Sequence, residues 1–198
     1  ALTSADGKSI TYGKILACTG LEIEVFSKHL PYPCKFIHDA KCAATTELWL
    51  REDIGDAVYL SIGTHLGGAI IIRNQIEMGK EGHSGTVEHM TINADGPPCY
   101  CGQNGKGVDD YLSRWNDFLE NLAFAINNVH LVINREFIIG GHLSPYVTEQ
   151  DVEILHEKVN QKTAFPSEQR FIHISRAPEQ GVPKGAALPF ILDFIQSV

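Results

Sequence analysis

The pattern that most constrains this chain is a run of short apolar segments that changes character half-way. Ala57–Ile62 reads AVYLSI, a strand. Gly63-Thr64-His65-Leu66-Gly67-Gly68 turns it, Ala69–Arg73 returns, and Asn74-Gln75 turns again into Ile76–Met78. Beta-branched runs bounded by turn formers predict an antiparallel meander. After residue 105 the period switches to helical. Trp115, Phe118, Leu119, Leu122, Ala123, Ile126 and Val129 mark one apolar face of a helix over Val108–Leu131. Glu136–Ile139 is a strand ending in Gly140-Gly141, and Thr148–Lys162 an amphipathic helix with Thr148 as N-cap. Arg170–Ile174 is a further strand and Lys184–Val198 a closing helix. A meander followed by α-β-α-β-α predicts an α/β fold, a mixed sheet covered by helices.

Upstream, residues 1–13 are polar and turn-rich. Leu21, Val25, Phe26 and Leu30 have helical spacing, stopped by Pro31 and Pro33. Cys34–Ile37 reads as a strand, followed by His38-Asp39 and a helix over Ala40–Arg51. This places Asp39 at a strand's carboxyl end, where open α/β sheets bind ligands. There Asp39 is either a general base for a hydroxyl or the N-cap of its helix, and the two roles are compatible.

The chemistry is concentrated in Glu81–Gly105, which holds His83, Glu88, His89, Cys99 and Cys101 among glycines and the Pro97-Pro98 pair. An imidazole and two thiolates suit zinc, and a structural site needs a fourth ligand, which the sequence does not identify. The competing reading is three unrelated residues on a surface loop. The glycines of Gly63–Gly68 let backbone amides approach an anion, although an ordinary glycine hairpin has the same composition.

Of the five cysteines, Cys18, Cys34 and Cys42 read as free thiols of a reducing cytoplasm. The formal net charge of -8 argues against direct nucleic-acid binding by this chain. No apolar run approaches the roughly 20 residues that span a bilayer.

Taken in order, these segments resemble the ROK family of sugar kinases and sugar-responsive transcriptional regulators. His38-Asp39-Ala40 resembles the family's Asn-Asp-Ala, and Gly63–Ala69 resembles its phosphate hairpin, Gly-Thr-Gly-Ile-Gly-Gly-Gly. Gly82–His89 resembles the sugar loop Gly-x-x-Gly-Glu-Ile-Gly-His, and Cys99–Gly105 resembles the zinc loop Cys-x-Cys-Gly-x-x-Gly. Ile138–Gly141 and Gly185-Ala186-Ala187 resemble the two turns beside the nucleotide.

The resemblance implies an actin-like ATPase (ribonuclease-H-like) lobe, the C-terminal one, spanning residues 1–198 with the N-terminal lobe absent. It implies sugar contacts at His38, Asp39, Thr86 and His89, and a structural zinc on His89, Cys99 and Cys101. In a kinase, Asp39 would be the catalytic base. Gly63, Thr64, Gly67, Gly140, Gly141 and Gly185 would then border ATP and magnesium. A homo-oligomer is also expected, as is DNA contact only through a domain outside this chain.

The departures favour a regulator over a working ATP-dependent sugar kinase, and a third reading is a non-catalytic lobe used only for oligomerisation. Thr86 stands where the family has its sugar-contacting Glu, and His65 replaces a hairpin glycine. Lys106 stands where a third zinc cysteine belongs, with Asp109 and Asp110 as loose stand-ins for a following Glu. The short distance from Gly105 to Trp115 implies an absent segment near 105–106.

Overall fold

The computed structural model describes residues 1–92, 95–96, 115–177 and 179–197. The polar start of the chain forms a small ribbon, which its composition conceals. Leu2–Thr3 (β1) pairs antiparallel with Ile10–Tyr12 (β2). Ser4 Oγ closes the intervening turn, donating to Asp6 Oδ1 at 2.7 Å and accepting from the Lys8 and Ser9 amides. Strands this short carry no detectable period.

Two expectations fail in the next stretch. Only Glu24–Ser27 (α1) is helical, and Val25, Phe26 and Leu30 remain exposed. One turn followed by Pro31 and Pro33 cannot nucleate a lasting helix or turn a stripe toward a core. Cys34–Ile37 joins no sheet; it is a connector whose Phe36 amide bonds the Gly7 carbonyl. Asp39 therefore does not end a strand. It is the first residue of Asp39–Leu50 (α2), and His38 holds the N-cap position without capping through its side chain.

The meander follows as Ala57–Ile62 (β3), Leu66–Ile72 (β4) and Gln75–Glu77 (β5). β4 begins before the expected Ala69, so Gly67 and Gly68 lie inside the strand, opposite Ser61 and Leu60. Only Gly63–His65 forms the turn. Val87–His89 forms a 3-10 turn. Trp115–Ile133 (α3), Glu136–Gly140 (β6), Glu149–Lys162 (α4), Ile172–Ile174 (β7) and Gly181–Ser197 (α5) complete the expected alternation.

The sheet order is β5-β4-β3-β6-β7, with β3, β4 and β5 antiparallel and β3, β6 and β7 parallel. Its strands alternate between two cores. Val58, Leu60, Ile62, Phe137 and Ile139 pack with α3 and α4, whereas Ala57, Tyr59 and Ile138 pack toward α2. Burial on both faces explains the continuous apolar runs, and each large buried side chain contributes about 1.5–3 kcal/mol. α5 lies on α2 so closely that a Cβ at Gly185 would stand 1.7 Å from the Cys42 carbonyl oxygen. Gly185 thus lies inside a helix, packed on α2, where a turn was expected.

Candidate functional site

The segment before His89 is bolted onto β4 and α2. Gly68 and Gly85 touch so closely that a Cβ at Gly68 would stand 2.4 Å from the Gly85 carbonyl oxygen and 2.6 Å from Val87 Cγ2. Gly85 adopts φ +85°, a conformation that favours glycine. Buried Lys41, on α2, donates from Nζ to the Gly82 carbonyl at 2.6 Å. Burial lowers the Lys41 pKa, opposed by the Glu77 carboxylate. These contacts fix where the 3-10 turn presents Glu88 and His89.

Between that turn, the start of α2 and the β2 side of the ribbon lies a cavity of about 210 Å³. Tyr12, Lys14, Leu16, His38, Glu88 and His89 are among its walls. Tyr12 meets the His89 ring edge-on at 6.3 Å between centroids. The His38 side chain is 7% exposed, and its Nδ1 stands 3.6 Å from Asp39 Oδ1, too far for a hydrogen bond. The Glu88 side chain is 8% exposed, with Oε1 at 3.9 Å from His89 Nε2. His38 Nδ1 and Glu88 Oε2 have no hydrogen-bond partner among the described residues. Burial pushes the Glu88 carboxyl up to about 7. Burial also lowers His38, with the Asp39 carboxylate pulling the other way.

The expected sugar contacts are divided by this geometry. His38 and His89 share the cavity. Asp39 lies outside its walls: its side chain is 70% exposed, and Oδ1 accepts the adjacent Ala40 amide at 2.8 Å. Thr86 precedes the 3-10 turn and is not a wall residue either. His83 turns toward the ribbon, Nε2 lying 3.3 Å from Thr11 Oγ1.

The glycines expected to border a nucleotide are also divided. Gly63 and Thr64 form the hairpin loop, and a Cβ at Gly63 would lie 3.5 Å from His142, so that loop meets the end of β6. Gly140 is pressed on the Tyr59 hydroxyl, Gly141 adopts φ +83° against Ile62, and Gly67 faces Ala40. Gly185 sits apart, on Cys42.

Cys99 and Cys101, with Lys106, Asp109 and Asp110, lie outside the described residues. Among the described residues there is no cluster of three potential metal ligands. Glu88 is the cavity residue that motif reasoning passed over. Its signal was available as an acidic residue at the glycine position of the sugar-loop pattern, directly before His89.

The model of the ROK family matches residues 21–116. That segment belongs to the ROK family. The curated relatives include a repressor and a sugar kinase. The xylose repressor of Caldicellulosiruptor bescii is 24% identical over 212 positions, covering 82% of this chain and 53% of the repressor. The N-acetylmannosamine kinase of Haemophilus influenzae is 26% identical over 101 residues, covering 46% of this chain and 34% of the kinase. The chain thus spans about half the length of the repressor and less of the kinase. Among solved structures, a ROK glucokinase from Streptomyces griseus, in complex with glucose and AMPPNP, superposes with a TM-score of 0.80. It is 16% identical, and the match covers 96% of this chain and 78% of that one. At that identity the likeness shows the fold, that of an actin-like ATPase. No helix among the described residues is long and apolar enough to cross a membrane.

Proposed function

We propose that this chain is the sugar-binding effector lobe of a ROK-type transcriptional regulator. The observation that carries the reading is the cavity holding His38, Glu88 and His89, where His38 Nδ1 and Glu88 Oε2 have no hydrogen-bond partner among the described residues. Such groups are normally satisfied, and a sugar supplies hydroxyls that both donate and accept. Asp39, which a kinase would need beside the sugar hydroxyl, stands outside the cavity walls and bonds its own helix. The repressor match also spans more of the chain than the kinase match.

Sugar binding would bias a two-state arrangement of lobes or subunits of a homo-oligomer and so alter DNA affinity of a domain outside this chain. The acidic charge of -8 suits a part that does not itself touch DNA. A structural zinc fits the chemistry of His89, Cys99 and Cys101, one imidazole and two thiolates, and would fix the segment that carries His89. The repressor alignment is longer than this chain, 212 positions against 198 residues, yet leaves part of the chain uncovered. That supports an internal segment absent here, which we place near 105–106.

The second reading is an ATP- and magnesium-dependent sugar kinase with Asp39 as base. The meeting of the Gly63 hairpin with the Gly140-Gly141 turn favours it. Phosphoryl transfer from ATP to a panel of hexoses and N-acetylhexosamines, assayed with the full-length parent, separates the two. The regulator reading expects binding without turnover. Turnover that Asp39→Asn abolishes would sink it.

A further inference from the structure

We propose that Glu88 and His38 both recognise hydroxyls of a neutral, unphosphorylated sugar, making Glu88 the specificity-determining residue of the cavity. The proposal rests on the reading of this cavity as a sugar site.

Both side chains are more than nine-tenths buried, at 8% and 7% exposure, and both line the same cavity. Each leaves one polar atom unsatisfied among the described residues, Glu88 Oε2 and His38 Nδ1. Leaving such atoms unmet is costly, so a native structure keeps them for a purpose. A carboxylate oxygen accepts a hydroxyl proton, and an imidazole nitrogen accepts or donates according to its tautomer. A pair of sugar hydroxyls, each both donor and acceptor, satisfies the two atoms at once.

The positions are prepared in advance. Glu88 belongs to the 3-10 turn that Lys41, Gly68 and Gly85 hold against β4 and α2. His38 is fixed by the first turn of α2, where its carbonyl accepts the Cys42 amide. Ligand binding therefore orders little that is not already ordered.

Size and charge narrow the class. A cavity of about 210 Å³ is below the roughly 300–1,000 Å³ of pockets for drug-sized ligands, which suits a single sugar ring. Among the described residues the walls offer a phosphate no buried Lys or Arg. Lys14 borders the cavity, but it is exposed, so its charge is screened.

The test is isothermal titration calorimetry on the full-length parent. The panel comprises aldohexoses and N-acetylhexosamines with their monodeoxy analogues and 6-phosphates. Wild type is expected to bind a neutral sugar and to bind its 6-phosphate more weakly. Glu88→Gln should weaken the neutral sugar about ten- to a hundredfold, the range of a hydrogen bond to a charged group. That loss should fall below about threefold for the one deoxy analogue lacking the contacted hydroxyl. Discrimination by wild type against that same analogue reads the contact without any variant.

Unchanged affinity of both Glu88→Gln and Glu88→Gly for every sugar overturns this proposal and leaves the sugar site standing. Loss of bound metal on Glu88→Gln, measured by elemental analysis, overturns it by making Glu88 a metal ligand. A wild type that binds none of the panel removes the sugar site and this proposal with it.

Discussion

Gly68→Ala perturbs the joint between scaffold and site. The added Cβ would stand 2.4 Å from the Gly85 carbonyl oxygen and 2.6 Å from Val87 Cγ2. Neither atom is the free end of a flexible chain, so the segment carrying Glu88 and His89 must lift off β4. Two effects compete. Alanine gains about 0.5–1 kcal/mol over glycine in a strand interior. Overpacking costs about 1–3 kcal/mol, and displacement also strains the Lys41 bond to the Gly82 carbonyl. Overpacking wins, for a net loss of about 1–2 kcal/mol. At 198 residues this lowers Tm by roughly 2–8 °C. Thermal unfolding followed by circular dichroism reads the stability, and calorimetry with the bound sugar reads the displaced wall. Unchanged Tm together with unchanged affinity would refute the claim that this contact positions the site.

Glu47→Ala should cost about 3–5 kcal/mol by urea unfolding, because it strands a buried cation. Buried Glu47 accepts from Arg51 Nε at 2.8 Å, Ser175 Oγ at 2.5 Å and the Arg176 and Ala177 amides. Thr148→Ala should cost about 1 kcal/mol at pH 7 by removing half of the α4 capping box. Burial raises the Asp151 carboxyl, but hydrogen bonds from Thr148 and Trp115 outweigh it and hold the carboxyl below its ordinary value. Its contribution is complete above its unfolded pKa of about 3.9 and lost as pH falls through the lower folded value. The gap between Thr148→Ala and wild type should therefore narrow below about pH 4. Burial pushes the Cys42 thiol up to about 11. Iodoacetamide at pH 8 should thus spare Cys42 in the native protein while labelling partly exposed Cys18 and Cys34, as mapped by mass spectrometry.

The sheet was legible because β3 and β6 are buried on both faces, leaving long apolar runs with clear ends. The pairing of glycines with strands was less so. Gly67 and Gly68 look like a turn until it is known that Gly85 lies on Gly68, a contact between segments remote in sequence. Cys34–Ile37 has the composition of a strand, but no neighbour among the described residues offers it a ladder. In the site, the resemblance to the family's motifs implied sugar contacts at His38 and His89, and both line the cavity. That resemblance could not separate them from Asp39 and Thr86, because the cavity wall depends on where the ribbon packs. Glu88 was hidden by comparison with a motif that has glycine there. Glu47, the single Glu of α2, gave no sign that its carboxylate ties α2 to the chain after β7.

The central claim is that this lobe binds a sugar between His38, Glu88 and His89. Its most direct test is the unfolding temperature of the protein across a panel of neutral sugars, for wild type and His38→Ala. A ligand at a hundred times its Kd stabilises the folded state by about 2.7 kcal/mol, a rise of roughly 5–10 °C. The account predicts such a rise for at least one sugar and its loss in His38→Ala. No rise with any sugar, or an equal rise in His38→Ala, would contradict it.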